Sequence, residues 1–316
     1  MKAILVFVLS VACGLAAAQT YPTKPVKLII PFPPGGSNDV VGRAIGQQLA
    51  EKLGQGVVID NRGGAGGVIG TNEAAKSPAD GYTLLLISTA FPTSIAFNRL
   101  PQDAMKSFAP VAMLGSGPAL LVVPANSPAN SVSDLLHQIK QKPGELNAAA
   151  AGIGSFQHKA TELFRLQSKT NFVIVQYKGG GPALTDTIGG QVHFNLGSLV
   201  QMVPHVRSGK LKALGVSSAK RVPAMPEVPT IAEAGVPGYE VANWWGILAP
   251  AGTPQPVLDR LYREITAILD SPETRKRFEL EGADVAKMKP AEFAAFVTQE
   301  TGKWTRVVKE AGIKPE

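Results

Sequence analysis

Apolar residues in the first part of the chain alternate between short continuous runs and helical spacing. The run at 26–30 is typical of a buried strand, and apolar side chains over 40–53 then recur at helical spacing. Two more strand-like runs, at 57–59 and 83–87, enclose a short helical stretch at 72–76. This alternation predicts an α/β fold with a mainly parallel sheet and helices on both faces.

A second series of the same kind follows an apolar run at 120–123. Its helices are predicted to begin at residues that favour helix starts, two serines as N-caps and one proline as a first helical residue. Ser131 precedes the helix predicted at 132–140, Ser155 precedes the one at 156–167, and Pro182 precedes the one at 183–188. The strands between them are predicted at 146–150, 172–177, 192–196 and 211–216.

The chain is therefore expected to form two α/β domains. A strand at 244–250 returns to the first unit, and amphipathic helices close the chain. We expect a first domain of 19–118 with 245–316 and a second of 119–244, with a ligand cleft between their strand ends. The hinges are expected at the crossings, near 113–119 and 241–246.

The first residues have the pattern of a secretory signal. Lys2 precedes an apolar run over 3–15, which small residues follow, and we expect cleavage near Ala18. The run is too short for a membrane span. Cys13, the single cysteine of the sequence, would leave with this segment, so the mature chain would have neither a disulfide nor a thiol nucleophile.

Composition narrows the function classes. The formal net charge of +7 is a mild basic bias, and no run of like charges or basic-aromatic stripe indicates nucleic acid binding. The bias is compatible with attraction of an anionic solute. His137, His193 and His205 show no metal-ligand spacing, so we expect neither a metal nor another cofactor.

Two glycine-rich turns, at 33–39 and 178–182, each follow a strand-like run and each open a helix. Glycine lets the backbone approach a ligand closely, and the N–H groups at a helix start favour a carboxylate or phosphate without a cationic side chain. Binding is therefore predicted rather than catalysis. Within the first turn Asp39 is either a ligand contact or the residue that caps the helix and fixes the loop.

Other candidates stand at strand ends and helix starts. Ser88 and Thr89 end a strand, where hydroxyls reach a ligand or cap the strand end. Ser155 is expected to cap its helix and donate to the ligand, with His158 lining the cleft or packing. An exported serine hydrolase using this pair is the alternative, although the sequence has no nucleophile elbow.

At these positions the chain resembles the extracytoplasmic receptors of the tripartite tricarboxylate transporter family, known as Bug or TctC-type proteins. The resemblance covers nearly the whole mature chain. Its motifs include Pro31-Phe32-Pro33-Pro34-Gly35-Gly36, Ile59-Asp60-Asn61-Arg62, Ala79-Asp80-Gly81-Tyr82-Thr83-Leu84, Gly152-x-Gly154-Ser155-x-x-His158, Tyr177-Lys178-Gly179-Gly180, Gly189-Gly190-Gln191-Val192 and Ala249-Pro250-Ala251-Gly252-Thr253-Pro254.

The resemblance implies a two-domain, type II-like periplasmic binding protein that closes over a small carboxylate and delivers it to two membrane subunits. It implies no chemistry on the ligand; we expect a monomer, and a sensor serving a signalling partner is an alternative to transport. The expected ligand-binding residues are Phe32, Gly35, Gly36, Ser37, Asn38, Asp39, Ser88, Thr89, Gly152, Gly154, Ser155, His158, Gly179, Gly180, Asn195, Gly197, Ser198 and Trp244.

The chain departs from the family in one place. Many members carry an acidic-amide pair shortly after the Gly-Gly-Gln-Val motif, where this chain has Asn195-Leu196-Gly197-Ser198. Without that carboxylate an amino-acid ligand loses a partner for its ammonium group, which favours a carboxylate without an amino group. Only one of Trp244 and Trp245 can face the cleft if they lie on a strand, and as an aromatic wall it keeps aromatic acids possible.

Overall fold

The structure, a computed structural model, describes residues 21–310. Its strands are β1 (Val26–Ile30), β2 (Val57–Asn61), β3 (Thr83–Ser88), β4 (Phe108–Pro124), β5 (Asn147–Ala150), β6 (Val173–Gln176), β7 (Phe194–Ser198), β8 (Leu211–Val216), β9 (Ala242–Pro250) and β10 (Asp284–Val285). Its α-helices are α1 (Ser37–Leu53), α2 (Val68–Ala75), α3 (Ala90–Ala96), α4 (Val132–Gln141), α5 (Phe156–Ser168), α6 (Gly180–Ile188), α7 (Leu199–Arg207), α8 (Gln255–Asp270), α9 (Pro272–Leu280) and α10 (Pro290–Glu310).

The strands form a sheet in the order β2-β1-β3-β9-β4-β7-β5-β6, with β8 and β10 also paired to β4. At one end β1 pairs in parallel with β2 and β3, and at the other β5 pairs in parallel with β6 and β7. The long strand β4 joins these groups. Residues Phe108–Pro118 pair with β9, and Ala119–Pro124 pair with β7 and β8.

Burial explains why these segments become strands and helices. Leu28, Ile29 and Ile30 of β1 are fully buried, as expected of a parallel strand covered on both faces. Helix α1 buries Ile45 and Leu49 against this strand group and ends at Gly54, whose φ of 67° is the left-handed conformation typical of a helix C-terminus. Separate apolar clusters form under the two strand groups, one around β1 and β3 and one around β5 and β7.

Most of the predicted elements are confirmed, with four local corrections. Helix α6 begins at Gly180 rather than at 183, and α2 begins at Val68 rather than at 72. The short helix α3 was not predicted, because every residue in it is buried and no amphipathic period marks it. Helix α7 was also not predicted, because Leu199 follows β7 without a loop.

Two further expectations are not tested by this part of the chain. The predicted signal segment and Cys13 lie outside the described residues. The domain boundaries and hinges remain predictions, although β4 and β9 do run between the two strand groups at the expected positions. Within residues 21–310, none of the helices has the length and apolar character needed to cross a bilayer.

Candidate functional site

A small cavity of about 30 Å³, here named the cleft cavity, lies between the two strand groups. Four helices begin beside it, α1, α5, α6 and α7, with Gly36, Ser155, Gly180 and Ser198 at its wall. The residues that line it are Phe32, Gly36, Ser37, Asn38, Ser88, Ala151, Ser155, Phe156, Gln157, Gly180, Ser198, Gln201 and Asn243. All of these side chains are uncharged, so an anion bound here would depend on backbone and amide groups.

The start of α1 supplies the first set of donors. Its N-cap is Gly36, which has no side chain to accept a helix N–H group. The preceding Gly35 has a φ of +80°, a conformation that favours glycine. The N–H groups of Ser37 and Asn38 belong to the first helical turn, which has no intrahelical acceptors for them. They therefore remain available to an anion, together with the positive end of the helix dipole.

Asp39 holds this turn in place from behind the cavity. Its carboxylate accepts hydrogen bonds from the Gly35 N–H, from Arg43 Nε and from Asn61 Nδ2, each at 3.0 Å. Burial alone would raise the pKa of Asp39, but the hydrogen bonds from Arg43, Gly35 and Asn61 lower it below its usual value. Asp39 thus fixes the loop and does not line the cavity. It does not cap the helix, because the N-cap of α1 is Gly36 and no side chain accepts a hydrogen bond there.

The second glycine turn packs directly against the first. A Cβ built on Gly181 would lie 2.2 Å from the carbonyl oxygen of Pro34, and one built on Gly179 would lie 2.5 Å from Pro33 Cδ. Gln201 joins the turns, because its Nε2 donates to the carbonyl oxygens of Gly35 at 3.1 Å and Gly180 at 2.7 Å. The two turns are thus in backbone contact.

Ser155 acts as an N-cap, as predicted, because its Oγ accepts the backbone N–H of His158 at 3.1 Å. The ring of His158 engages other groups: Nδ1 accepts the Gly154 N–H at 3.3 Å, and Nε2 lies 3.7 Å from Glu162 Oε1. His158 does not line the cleft cavity. This arrangement is a helix cap, whereas a hydrolase would need a serine hydroxyl aligned with a base.

Behind the wall formed by α5 and β7, polar side chains form a buried chain. Gln157 Nε2 donates to Asn195 Oδ1 at 3.3 Å, and Asn195 Nδ2 donates to Thr187 Oγ1 at 3.0 Å. Gln157 Oε1 and Ser198 Oγ are buried without a hydrogen-bond partner among the described residues. Because unsatisfied buried polar groups are costly, these two atoms are suited to meet a ligand or its water shell.

The opposite wall comes from β3 and β9. Asn38 Nδ2 donates to Ser88 Oγ at 3.3 Å, and Thr89 Oγ1 donates to Asn243 Oδ1 at 2.9 Å. Alternation along β9 turns Asn243 toward the cleft cavity, whereas Trp244 packs against Phe296 at 5.3 Å between ring centroids. Phe32 and Phe156, not Trp244, are therefore the aromatic residues of the cavity lining.

The predicted residues fall into two groups. Those at the cavity wall are Phe32, Gly36, Ser37, Asn38, Ser88, Ser155, Gly180 and Ser198. Those placed behind or beside it are Gly35, Asp39, Thr89, Gly152, Gly154, His158, Gly179, Asn195, Gly197 and Trp244.

Sequence reasoning missed five residues of the wall, which are Ala151, Phe156, Gln157, Gln201 and Asn243. Position next to a predicted helix start could have indicated Phe156 and Gln157. Nothing local marks Gln201 or Asn243, because each reaches the site only through contacts across the fold.

Similarity to known proteins agrees with this geometry. Residues 41–313 match the model of the tripartite tricarboxylate transporter family receptor. Protein BugT of Bordetella pertussis is 39% identical over 307 residues, which cover 95% of this chain and 94% of BugT. Solved periplasmic binding proteins have the same fold.

Two of the similar solved structures contain small carboxylates. Rhodopseudomonas palustris Rpa4515 with adipate is 38% identical, with a TM-score of 0.88, covering 94% of this chain and 100% of that one. MatC from the same organism, with bound malate, is 34% identical and has a TM-score of 0.85. The match covers 91% of this chain and 100% of MatC. The fold is that of a solute-binding protein. The chain belongs to the tripartite tricarboxylate transporter receptor family, of the Bug type.

Proposed function

We propose that this protein is exported to the periplasm, where it captures a small dicarboxylate or tricarboxylate without an amino group in the cleft cavity. It then delivers this solute to the two membrane subunits of a tripartite transporter. One observation carries the ligand class: four helix N-termini converge on a cavity whose lining side chains are all uncharged. Such a site stabilises a carboxylate through N–H groups and helix dipoles.

The lining also argues against an amino-acid ligand. An ammonium group would need a carboxylate partner. Asn195 lies in the segment where the family resemblance implies an acidic residue, and its amide accepts from Gln157 and donates to Thr187. Adipate and malate, found in two similar structures, are dicarboxylates without an amino group. Both findings favour the same ligand class for this chain.

Ligand entry requires the two glycine turns to separate. A cavity of about 30 Å³ has room for roughly one or two water molecules, far less than a dicarboxylate occupies. The turns touch each other and are joined by Gln201, so the structure corresponds to a closed cleft. We infer opening by bending of the strands β4 and β9 near 113–119 and 241–246, followed by closure over the solute.

Several charge-assisted hydrogen bonds, each contributing about 1.5 to 3 kcal/mol, are sufficient for micromolar capture after the costs of ordering are subtracted. The test is a thermal-shift screen of the purified protein followed by calorimetry. Adipate, malate and citrate are compared with glutamate, benzoate, inorganic phosphate and adipamide, the uncharged analogue of adipate. A ligand that binds only the folded state raises Tm by mass action.

We expect a selective shift with one of the di- or tricarboxylates and none with adipamide. A shift with adipamide equal to that with adipate would contradict recognition of the carboxylate. A shift with glutamate alone would contradict the exclusion of an ammonium group. If no acid shifts Tm, native mass spectrometry before and after refolding shows whether a ligand was retained through purification; an empty protein without any shift would overturn the proposal.

A further inference from the structure

A second cavity, here named the side cavity, has a volume of about 1060 Å³. It lies between α5 and α10 and reaches β4 and β9, and its residues differ from the cleft lining except for Asn243, which borders both. Its volume is at the upper end of the range for small-molecule sites. Much of its wall is apolar or aromatic, including Phe97, Leu163, Trp244, Met288, Phe296 and Trp304.

Lys159 is a buried charged residue of this wall, and it forms no ion pair with a carboxylate among the described residues. It is only 7% exposed, and its Nζ lies 4.0 Å from the ring centroid of Trp304 and 5.8 Å from that of Phe156. Aromatic faces attract an ammonium but replace only part of its hydration. Within residues 21–310, no carboxylate oxygen lies within ion-pair distance of this amine.

Three acids line the cavity, Glu162, Glu240 and Glu300, and two of them have other partners. On α5, Glu162 pairs with Arg165 at 2.7 Å and faces His158. On α10, Glu300 accepts the Trp304 Nε1–H at 3.1 Å and pairs with Lys303 at 3.6 Å. Burial lowers the pKa of Lys159 to about 7, with Glu300 raising it and Lys303 lowering it further. An anion that entered this cavity could therefore pair with the protonated amine of Lys159, which forms no ion pair with the glutamates of the wall.

We propose that the side cavity is a second ligand site, which binds an aromatic carboxylate through an ion pair with Lys159 and stacking against the aromatic wall. The carboxylate replaces the missing partner of the ammonium, and the ring of the ligand occupies the apolar space beside Trp304 and Phe296. The proposal is independent of the cleft function, because the two cavities use different donors.

The probe is 4-phenylbutyrate, with its uncharged amide as the matched control ligand. Binding is measured by calorimetry at pH 8 in buffers of different ionisation enthalpy, in a Gly181→Ala background that weakens the cleft. Since Lys159 is then largely neutral, we expect uptake of up to one proton per ligand. All variants keep the other titratable and charged groups that line the cavity, which are His158, Glu162, Arg165, Lys169, Glu240, Glu300 and Lys303.

We expect Lys159→Met, which removes a buried charge while retaining volume, to weaken 4-phenylbutyrate binding at least about tenfold and to abolish proton uptake. Leu163→Trp places a larger side chain in the cavity and leaves Lys159 unchanged. It should weaken 4-phenylbutyrate binding by a similar factor. The amide should bind about tenfold more weakly than the acid.

Equal binding of acid and amide, or unchanged binding in both variants, would overturn the proposal. Absence of binding in the Gly181→Ala background would also overturn it. If the probe binds only when the cleft is intact, its site is the cleft, and the cleft function itself is unaffected by that result.

Discussion

The cleft cavity and the side cavity are built on opposite principles. The cleft cavity is small, uncharged and surrounded by helix starts, so its donors are backbone N–H groups fixed by the fold. The side cavity is large, lined by aromatic rings and charged side chains, and borders the sides of α5 and α10. Backbone donors recognise a common group such as a carboxylate, whereas side chains give a site its particular preferences.

The glycines give the first region two properties at once. They let N–H groups face the ligand, and they let the two turns touch when the cleft is closed. In the second region the buried cation is a side chain, Lys159, which a single substitution removes. Variants that affect only the cleft cavity or only the side cavity therefore test most directly whether the two sites bind in different ways.

The largest effect is expected for Gly181→Ala. Its Cβ would meet the Pro34 carbonyl oxygen, so the turns could not approach and adipate affinity should fall at least about 100-fold, or about 2.7 kcal/mol. Helix α6 itself should tolerate alanine. Calorimetry with adipate measures the loss.

The matched control for this substitution is Gly189→Ala, at the other end of α6 and outside the cavity lining. Its Cβ would come no closer than 3.5 Å to another atom, and its φ of −72° is ordinary for alanine, so affinity should change little. If Gly181→Ala binds adipate as well as the wild type does, backbone contact between the turns is not part of binding, and the contrast with the side cavity fails.

Asp39→Ala should cost about 2 kcal/mol of unfolding free energy, because Gly35, Arg43 and Asn61 lose an acceptor. The folded-state pKa of Asp39 is lowered, so its contribution is present above the unfolded pKa of about 3.9 and is lost as pH falls through the folded value. Urea unfolding at pH 7 and pH 3 measures this difference.

Asp39→Asn, which keeps one acceptor oxygen, is the control and should lose less stability at pH 7. A wild-type advantage that persists unchanged at pH 3 would show that the ionised carboxylate is not the stabilising species. Side-cavity binding of 4-phenylbutyrate should be the same in both variants.

Gln201→Leu removes the amide that joins the two turns and should weaken adipate binding about tenfold, or about 1.4 kcal/mol. Gln141→Leu, on the exposed end of α4, is the matched control. Equal calorimetric affinity of the Gln201 variant and the wild type would mean that this amide does not stabilise the ligand-bound arrangement.

The last prediction concerns Lys159 and the change of the free energy of unfolding with pH. Its folded pKa is about 7, below the unfolded value of about 10.4, so the unfolded state binds more protons between these values and stability rises with pH. The slope is at most about 1.4 kcal/mol per pH unit. The free energy of unfolding, measured with urea, should therefore increase less between pH 7.5 and pH 8.5 in Lys159→Met than in the wild type.

Lys140→Met, at an exposed lysine, should retain the wild-type slope. An identical slope in Lys159→Met and the wild type would show that this amine titrates as an ordinary lysine, and the side cavity would lose its distinguishing charge.

The sequence by itself determined the features that depend on neighbours along the chain. Apolar periodicity located strands such as β1 and helices such as α1, and Ser155 was recognisable as a cap because its partner, His158, is three residues away. The two glycine turns were also recognisable, because close backbone approach requires glycine wherever it occurs.

Only the tertiary structure decided which side chains meet. Gln201 reaches Gly35 across 166 residues and Thr89 reaches Asn243 across 154, and neither pair has a local signal. The pleat of β9 turned Trp244 away from the cleft cavity and into the wall of the side cavity. Burial of Lys159 likewise depends on α10, because long-range packing fixes the solvation and partners of a side chain, and short-range sequence pattern does not.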